Sequence, residues 1–224
     1  MPTTRLPCVN AAAGPSESAV RVPSSDRVPI VVMASGAGSL LAALIGRAEG
    51  QAPYRIVGIV VDRQCPAADI AHRHDIPLVD CRVGDHPDRA AWDTALTEQV
   101  AAFEPDWVVT AGFMKILGPD FLSRFGGRIV NSHPALLPSF PGAHGVADAL
   151  AHGVKVTGTT VHLVDAGVDT GPILAQEPVA VRPDDTEDTL HERIKSVERE
   201  LLADVVTNLV TKGVVIDGRK ADIP

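Results

Sequence analysis

The sequence predicts an α/β fold: a single Rossmann-like domain with a mainly parallel twisted sheet, helices on both faces and an antiparallel hairpin at one edge. Runs of strand length, such as the continuous apolar run at residues 28–34 (VPIVVMA) and the run at 54–61, alternate with segments of helical periodicity. The 224 residues, of which 45% are hydrophobic, can bury one substantial core. A Thr-rich run followed by a turn-rich loop and another strand, within residues 156–181, predicts the hairpin.

The first half of the chain predicts a tail followed by alternating strands and helices. Residues 1–27 are rich in Pro, Ser, Thr and Ala without a period, and predict a disordered or irregular tail. The first strand is expected at residues 28–34, and a helix follows its glycine-containing turn. The further elements expected here are a strand at 54–61, a helix at 67–74, an edge strand at 76–80 marked by Pro77, a helix capped by Asp88 and a strand at 106–110.

The turn after the first strand, SGAGS, opens a helix and exposes backbone N–H groups to an anion. We expect the N–H groups of Gly38, Ser39 and Leu40 to bind a phosphate. A dinucleotide-binding fingerprint requires a third glycine, and the chain has Leu41 there. The NAD alternative stays open because Asp62 ends the next strand, near the place of a ribose-binding carboxylate.

Asn131 and His133 occupy the position where an open α/β sheet forms its ligand crevice. A strand over residues 127–130 is expected to close on Asn131 and to deliver both side chains into a loop stiffened by Pro134 and Pro138. From spacing alone, a core-edge histidine bonded to backbone remains the alternative.

The later elements expected are helical turns at 146–152, a hairpin of strands 156–164 and 173–181 with one polar face on the first, a long capped helix from about residue 187, and a short strand and tail from Lys212.

Composition argues against several classes of function. The net charge of −8 leaves no basic field for nucleic acid. The three cysteines are widely spaced and suggest neither a disulfide framework nor a zinc site, and no metal-binding motif is present in the sequence. No apolar run has the length of a membrane span, and the first residues lack the pattern of a signal peptide. We expect a cytoplasmic enzyme with no nucleic-acid or membrane partner.

Two strings in the sequence resemble motifs of the folate-dependent formyltransferases. NSHPALLP at residues 131–138 resembles their N-x-H-P-[SA]-L-L-P segment, and AGFMKIL at residues 111–117 resembles their A-G-F-M-[RK]-I-L segment. The resemblance covers about residues 29–210, and the continuation PGAH is similar to members that formylate glycinamide ribotide. It implies a formyltransferase domain over residues 28–212, with a C-terminal extension over 213–224.

The resemblance also implies the substrates and the catalytic residues. The formyl donor would be 10-formyltetrahydrofolate, the acceptor a ribotide amine in purine biosynthesis, and no metal would be needed; the assembly state stays open, with a homodimer as one option. Asn131 would stabilise the oxyanion, His133 would move the proton, and Asp169 would raise the pKa of His133. The other residues implied are Gly38, Ser39, Leu40, Lys195 and Glu198 for the ribotide, Arg89, Met114, Lys115, Ile116, Leu117, Asn131, Asp165, Ala166, Gly167, Val168 and Asp169 for the folate, and His162 in support.

Rival interpretations remain at this point. Formyltetrahydrofolate deformylase shares the Asn, His and Asp, but it uses water in place of the amine to attack the formyl group. It normally carries an additional N-terminal regulatory domain. The formyltransferases that act on methionyl-tRNA continue the motif as Arg-Gly-Ala and need a C-terminal tRNA-binding domain. A non-catalytic Rossmann-type nucleotide-binding module would explain Gly36, Gly38 and Asp62 but leaves Asn131, His133 and Asp169 unexplained.

Overall fold

The computed structural model describes residues 27–50 and 52–224, so nearly all of the predicted N-terminal tail lies outside the described residues. The strands are β1 (Val28–Ala34), β2 (Tyr54–Val61), β3 (Leu78–Asp80), β4 (Trp107–Thr110), β5 (Ile129–His133), β6 (Val156–Leu163), β7 (Ile173–Ala180), β8 (Val215–Asp217) and β9 (Lys220–Asp222). The α-helices are α1 (Ser39–Glu49), α2 (Pro66–Arg73), α3 (Arg89–Ala101), α4 (Pro119–Phe125), α5 (Gly145–Ala151) and α6 (Glu187–Lys212).

All the strands of the described residues join one sheet in the order β3-β2-β1-β4-β5-β6-β7-β9-β8. The first five in that order pair in parallel, whereas β6 is antiparallel to both β5 and β7. The expected mainly parallel α/β fold with an antiparallel hairpin is confirmed. β3 lies at the edge, as Pro77 predicted. β8 and β9 extend the sheet beyond β7, and β9 pairs with β7 in parallel and with β8 in antiparallel fashion.

Both faces of the parallel sheet are covered, which explains the continuous apolar strands. Along β1, Ile30 and Val32 pack in the core formed with α1, α2 and α6, while Val31 and Met33 pack in the core formed with α3 and α4. These four side chains are fully buried. An alternating strand would have placed polar groups under one layer of helices, at a large desolvation cost.

The longest helix begins where its sequence predicts. Thr186 is the N-cap of α6, accepting from the Thr189 backbone N–H, and Thr189 completes a capping box. Leu190, Ile194 and Leu209 of α6 are buried, and α6 packs against α1 and the antiparallel strands. Asp88 likewise caps α3 by accepting from Ala91 N. No helix of the described chain is both long enough and apolar enough to span a membrane.

The end of β5 differs from the prediction. We expected the strand to close on Asn131 and to leave His133 in a loop, but β5 continues through His133. The reason is antiparallel pairing with β6, in which Asn131 lies opposite His162 and His133 opposite Thr160. Asn131 and His133 are therefore two apart on a hydrogen-bonded strand, so their side chains leave the same face of a rigid element.

The prediction that β6 has one polar, solvent-facing side is also wrong, because every residue of the strand after Val156 is buried. β6 lies inside the sheet, between β5 and β7, rather than at a solvated edge. The hydroxyls of two of its threonines donate hydrogen bonds to the last residue of β5 and to the loop that follows it. Thr159 Oγ1 donates to the carbonyl of His133 at 3.2 Å and Thr160 Oγ1 to that of Ala135 at 2.6 Å.

Candidate active site

A cavity of about 600 Å³ lies at the carboxyl ends of the parallel strands, where β1 and β4 give way to loops. Gly38 and His133 both line it, as expected for one crevice. Its wall consists of the turn at residues 36–40, the segment 110–117, residues 131–134, 142–143, His162, residues 164–165 and 167–169, and His191, Lys195 and Glu198 of α6.

The turn at the start of α1 has the geometry of an anion site. Gly38 is the N-cap in the left-handed region, with φ 75°, and no side chain caps the helix. A Cβ at Gly38 would lie 2.7 Å from Ile70 Cδ1 and 3.2 Å from Ala67 Cβ, so both φ and space require glycine. The first N–H groups of α1 thus remain available on the side of the cavity.

Asn131 is held at both ends of its amide. Its Oδ1 lies 2.7 Å from Thr110 Oγ1, and its Nδ2 lies 3.0 Å from His162 Nε2. Nδ1 of His162 lies 2.9 Å from the carbonyl of Leu163. Asn131 is therefore a fixed, non-titrating amide at the cavity wall, as an oxyanion donor requires.

His133 is almost fully buried, with 4% of its surface exposed. Its Nε2 donates to the carbonyl of Phe140 at 2.8 Å, which leaves Nδ1 facing Asp169 Oδ2 at 3.4 Å. Burial lowers the pKa of His133 below its ordinary value, and Asp169 and the Phe140 carbonyl only partly oppose that shift. Asp169 raises this pKa, as expected, but the net shift is downward because desolvation outweighs the carboxylate.

Asp169 lies between the two histidines in a left-handed turn conformation, with φ 54°. Gly142 N donates to its Oδ2 at 2.7 Å, and His162 Nε2 lies 3.5 Å from its Oδ1. Burial alone would raise the pKa of Asp169, but the contact with His162, the hydrogen bond from Gly142 and the nearness of His133 bring it below its ordinary value. Asp169 is accordingly an ionised carboxylate at neutral pH.

The loop that carries Asp169 is ordered by its own side chains. Asp165 Oδ1 accepts from Gly167 N at 3.0 Å and from Thr170 Oγ1 at 2.6 Å. Asp165, Gly167 and Val168 line the cavity, and Val168 is 49% exposed there. Ala166, predicted with them, does not line it.

The segment between β4 and α4 gives the cavity its apolar wall. Met114 and Ile116 are 57% and 63% exposed although apolar. The segment is anchored by Ser35 Oγ, which accepts from Met114 N at 2.8 Å, and by Lys115, whose Nζ lies 2.9 Å from Asp62 Oδ2. Exposed apolar groups on a fixed backbone fit a flat heterocycle.

Arg89 does not line the cavity. Its guanidinium donates to the carbonyl of Ile116 and stacks 4.4 Å from the centre of the Trp92 ring. It therefore holds the outer side of the apolar segment.

Asp62 is not available to a ribose. Its side chain is completely buried and bonded to Arg63 and Lys115. Burial alone would raise its pKa, but hydrogen bonds from Arg63, Ser35 and Lys115 lower it to about 2. The observation that kept the NAD alternative open is thus explained by an internal ion-pair network.

The two predicted ribotide residues on α6 do not pair with each other. Lys195 pairs with Glu192, and Glu198 instead accepts from Ser132 Oγ at 2.6 Å. Glu198 is buried, and that burial raises its pKa. Lys195 and Glu198 line the cavity together with His191, which was not predicted. The spacing of residues 191, 195 and 198 on one helix face was the available signal.

Among the described residues, no group of three or more His, Cys, Asp or Glu side chains is arranged to hold a metal ion. The groups that the structure brings together are instead an amide, two imidazoles and a carboxylate.

Comparison with known proteins gives consistent similarities. Residues 28–206 match the model of the formyl transferase family. The phosphoribosylglycinamide formyltransferase of Mycobacterium tuberculosis is 61% identical over 202 residues, which cover 90% of this chain and 94% of that protein. Glycinamide ribonucleotide transformylase 1 of Symbiobacterium toebii has a similar structure, with a TM-score of 0.85 and 38% identity over 88% of this chain and 93% of that one. A formyltetrahydrofolate deformylase from Pseudomonas syringae also matches, with a TM-score of 0.83 and 28% identity over 89% of this chain and 67% of that one.

Proposed function

The chain belongs to the formyl transferase family, and from this premise we propose that Asn131, His133 and Asp169 catalyse its group transfer. The reaction is the formylation of the amine of phosphoribosylglycinamide, a step of purine biosynthesis. The co-substrate is a formyl folate, and we assign it as 10-formyltetrahydrofolate. The products are then the formylated ribotide and tetrahydrofolate.

One observation carries the proposal: a single cavity has an anion-type turn on one side, an apolar wall on another, and Asn131, His133 and Asp169 between them. The two substrates match these two sides of the cavity. The ribotide ends in a phosphate, which suits the turn, and the folate ends in a flat ring system, which suits the apolar wall. This arrangement supports their meeting at the polar cluster, where proximity alone can supply a large part of the rate enhancement.

The proposed mechanism is direct attack of the ribotide amine on the formyl carbon. The tetrahedral adduct carries an oxyanion, to which an N–H of Asn131 donates. Neutral His133 takes the surplus ammonium proton at Nδ1, and Asp169 Oδ2, at 3.4 Å, stabilises the imidazolium that forms. The same proton passes to the departing folate nitrogen as the C–N bond breaks, which returns His133 to its neutral form.

On the ribotide side, the proposed phosphate contacts are the backbone N–H groups of Gly38, Ser39 and Leu40, with Lys195 supplying positive charge. A backbone contact does not depend on the side chain of Leu40. Glu198, held by Ser132, is proposed to bind the sugar or the glycinamide.

On the folate side, the proposed contacts are the apolar and backbone groups that line the cavity. Arg89 and Ala166 lie off the cavity wall, so we propose that they support the loops that bind the folate rather than touch it. The remaining proposed folate residues are Met114, Lys115, Ile116, Leu117, Asn131, Asp165, Gly167, Val168 and Asp169.

We further propose a cytoplasmic location and small-molecule substrates without a nucleic-acid or membrane partner. We also propose the division into an N-terminal segment of residues 1–27, a formyltransferase domain of residues 28–212 and an extension of residues 213–224; β8 and β9 of that extension join the sheet.

Binding experiments separate this function from the nucleotide-binding module. Titration with 10-formyltetrahydrofolate, with the ribotide and with NAD should give saturable binding of the first two and none of NAD, since Asp62 is paired internally. Tight binding of NAD without binding of the folate would favour the module instead.

Replacing Gly38 by valine tests the phosphate site. We expect the KM of the ribotide to rise by about 100-fold or more and that of the folate to change by less than about 3-fold, because a side chain here meets Ile70 and strains a left-handed backbone. Steady-state kinetics with each substrate varied in turn give both constants.

Gly46→Ala is the matched control, since Gly46 lies in the same helix away from the cavity and a Cβ there meets nothing within 4 Å. Both KM values of this variant should match those of the unmodified protein. Equal rises in the two KM values of Gly38→Val would count against a phosphate site at this turn.

A further inference from the structure

Thr110 lies directly beside Asn131 in the sheet. It ends β4, is 4% exposed, and pairs in register with Asn131 of the parallel neighbour β5. Its hydroxyl is 2.7 Å from Asn131 Oδ1 and 3.1 Å from the carbonyl of Val130. Both neighbours accept hydrogen bonds and the hydroxyl has one proton, so the shorter contact identifies Asn131 as its partner.

The opposite end of the Asn131 amide meets His162, whose tautomer is set by its surroundings. Nδ1 of His162 lies 2.9 Å from the carbonyl of Leu163, which can only accept, so Nδ1 carries the proton of the neutral ring. Nε2 is then an acceptor and takes an N–H from Asn131 Nδ2 at 3.0 Å. The second N–H of that nitrogen stays free for a ligand.

A flipped amide would lose this arrangement. Its oxygen would face the lone pair of His162 Nε2, and its nitrogen would face Thr110. The Thr110 hydroxyl could accommodate the flip only by turning its proton to the Val130 carbonyl, which lies 3.1 Å away. Donation from Thr110 to Oδ1 therefore favours the orientation that presents N–H groups away from β4.

We propose that Thr110 is a positioning residue, whose hydroxyl donates to Asn131 Oδ1 and so fixes the amide with its N–H directed at the developing oxyanion. The inference rests on the proposed role of Asn131. Thr110 needs no contact with either substrate for this effect. It acts through the orientation of one amide, and small errors in the placement of such a group reduce the chemical step far more than binding.

The test is Thr110→Val, which keeps the branched shape and removes the hydroxyl. We expect kcat to fall by about 10- to 100-fold, with both KM values within about 3-fold. Thr110→Ser restores the hydroxyl and should recover most of the rate. Thr157→Val is the matched control: Thr157 is a buried threonine of the same sheet whose hydroxyl has no partner, so its kcat should not change.

A double-mutant comparison separates orientation from general packing. In an Asn131→Ala background, Thr110→Val should cause no further loss of kcat, because there is no amide left to orient. The same fractional loss in both backgrounds would overturn the proposal, as would a normal kcat for Thr110→Val or an equal loss in Thr110→Ser. Should Thr110→Val not fold, Thr110→Ala gives the same comparison.

Two outcomes distinguish the proposed role of Asn131 from that of Thr110. If Asn131→Ala keeps a normal kcat, the proposed catalytic role of Asn131 is wrong. If Asn131→Ala loses activity while folded Thr110→Val does not, only the positioning role of Thr110 is wrong.

Discussion

Asn131→Ala is expected to lower kcat by about 10²- to 10³-fold, the range typical of removing one oxyanion donor. The structure supports so large an effect because the amide is immobilised between Thr110 and His162 and needs no reorganisation during the reaction. The folate dissociation constant should stay within a few-fold, since an interaction made mainly in the transition state contributes little to ground-state binding. Single-turnover kinetics and a folate titration give the two quantities.

Asn208→Ala is the matched control for this change. Asn208 lies on α6 outside the cavity, and its amide donates only to the carbonyl of Asp204 in the same helix. Its kcat should be unchanged. A loss of less than about 3-fold in Asn131→Ala, in a protein that still binds folate, would remove Asn131 from the mechanism.

Asp169→Asn combined with His133→Ala tests the proton pathway. Burial lowers the pKa of His133, so the neutral base persists below the ordinary value of 6.5, and activity is lost as the pH falls through the lowered pKa. Asp169 opposes that shift. The single variant Asp169→Asn lacks this charge, so the pKa of His133 should fall further. The acid limb of its kcat–pH profile should move to lower pH, and its plateau should be reduced by about 10²-fold.

His133→Ala should lower kcat at every pH, by about 10²- to 10⁴-fold, and should remove that acid limb. The double variant should be little slower than His133→Ala alone, since residues that act as a unit lose most of their effect with the first removal. Asp106→Asn, outside the cavity, serves as the control and should keep the profile of the unmodified protein. A double loss equal to the product of the single losses would show that Asp169 and His133 act independently.

The parallel half of the fold was predictable from local sequence. β1 and β2 have the predicted bounds. β1 is buried on both faces and therefore appears as a continuous apolar run, and a polar residue, Ser35 or Asp62, follows each strand. Asp88 and Thr186 mark their helix starts through capping, which is a local interaction and therefore visible in the sequence.

The antiparallel half was less predictable, since it depends on partners distant in the chain. β5 is longer than predicted because β6, some 31 residues away, supplies the pairing for Asn131. The threonines of β6 suggested a solvated face, yet β7 and the loop after β5 bury them. Neither effect has a local signature.

For the site, the resemblance implied Asn131, His133 and Asp169. The structure places all three on the wall of one cavity, with Asp169 3.4 Å from His133 and 3.5 Å from His162. Thr110 and His191 were missed because Thr110 lies beside Asn131 through strand register and His191 lines the cavity from a helix face. The sign of the pKa shift at His133 was missed for a related reason: a carboxylate neighbour can be inferred from a motif, whereas the extent of desolvation depends on the packed structure.

The central claim, direct formyl transfer to an amine, is tested most directly by the dependence of tetrahydrofolate release on that amine. The protein is mixed with 10-formyltetrahydrofolate alone, with the ribotide, or with a ribotide analogue that has a hydroxyl in place of the amine. Tetrahydrofolate should appear only with the amine, in step with an equal amount of formylated ribotide. Release at the same rate in all three mixtures, with free formate as the product, would contradict transfer and identify a hydrolase.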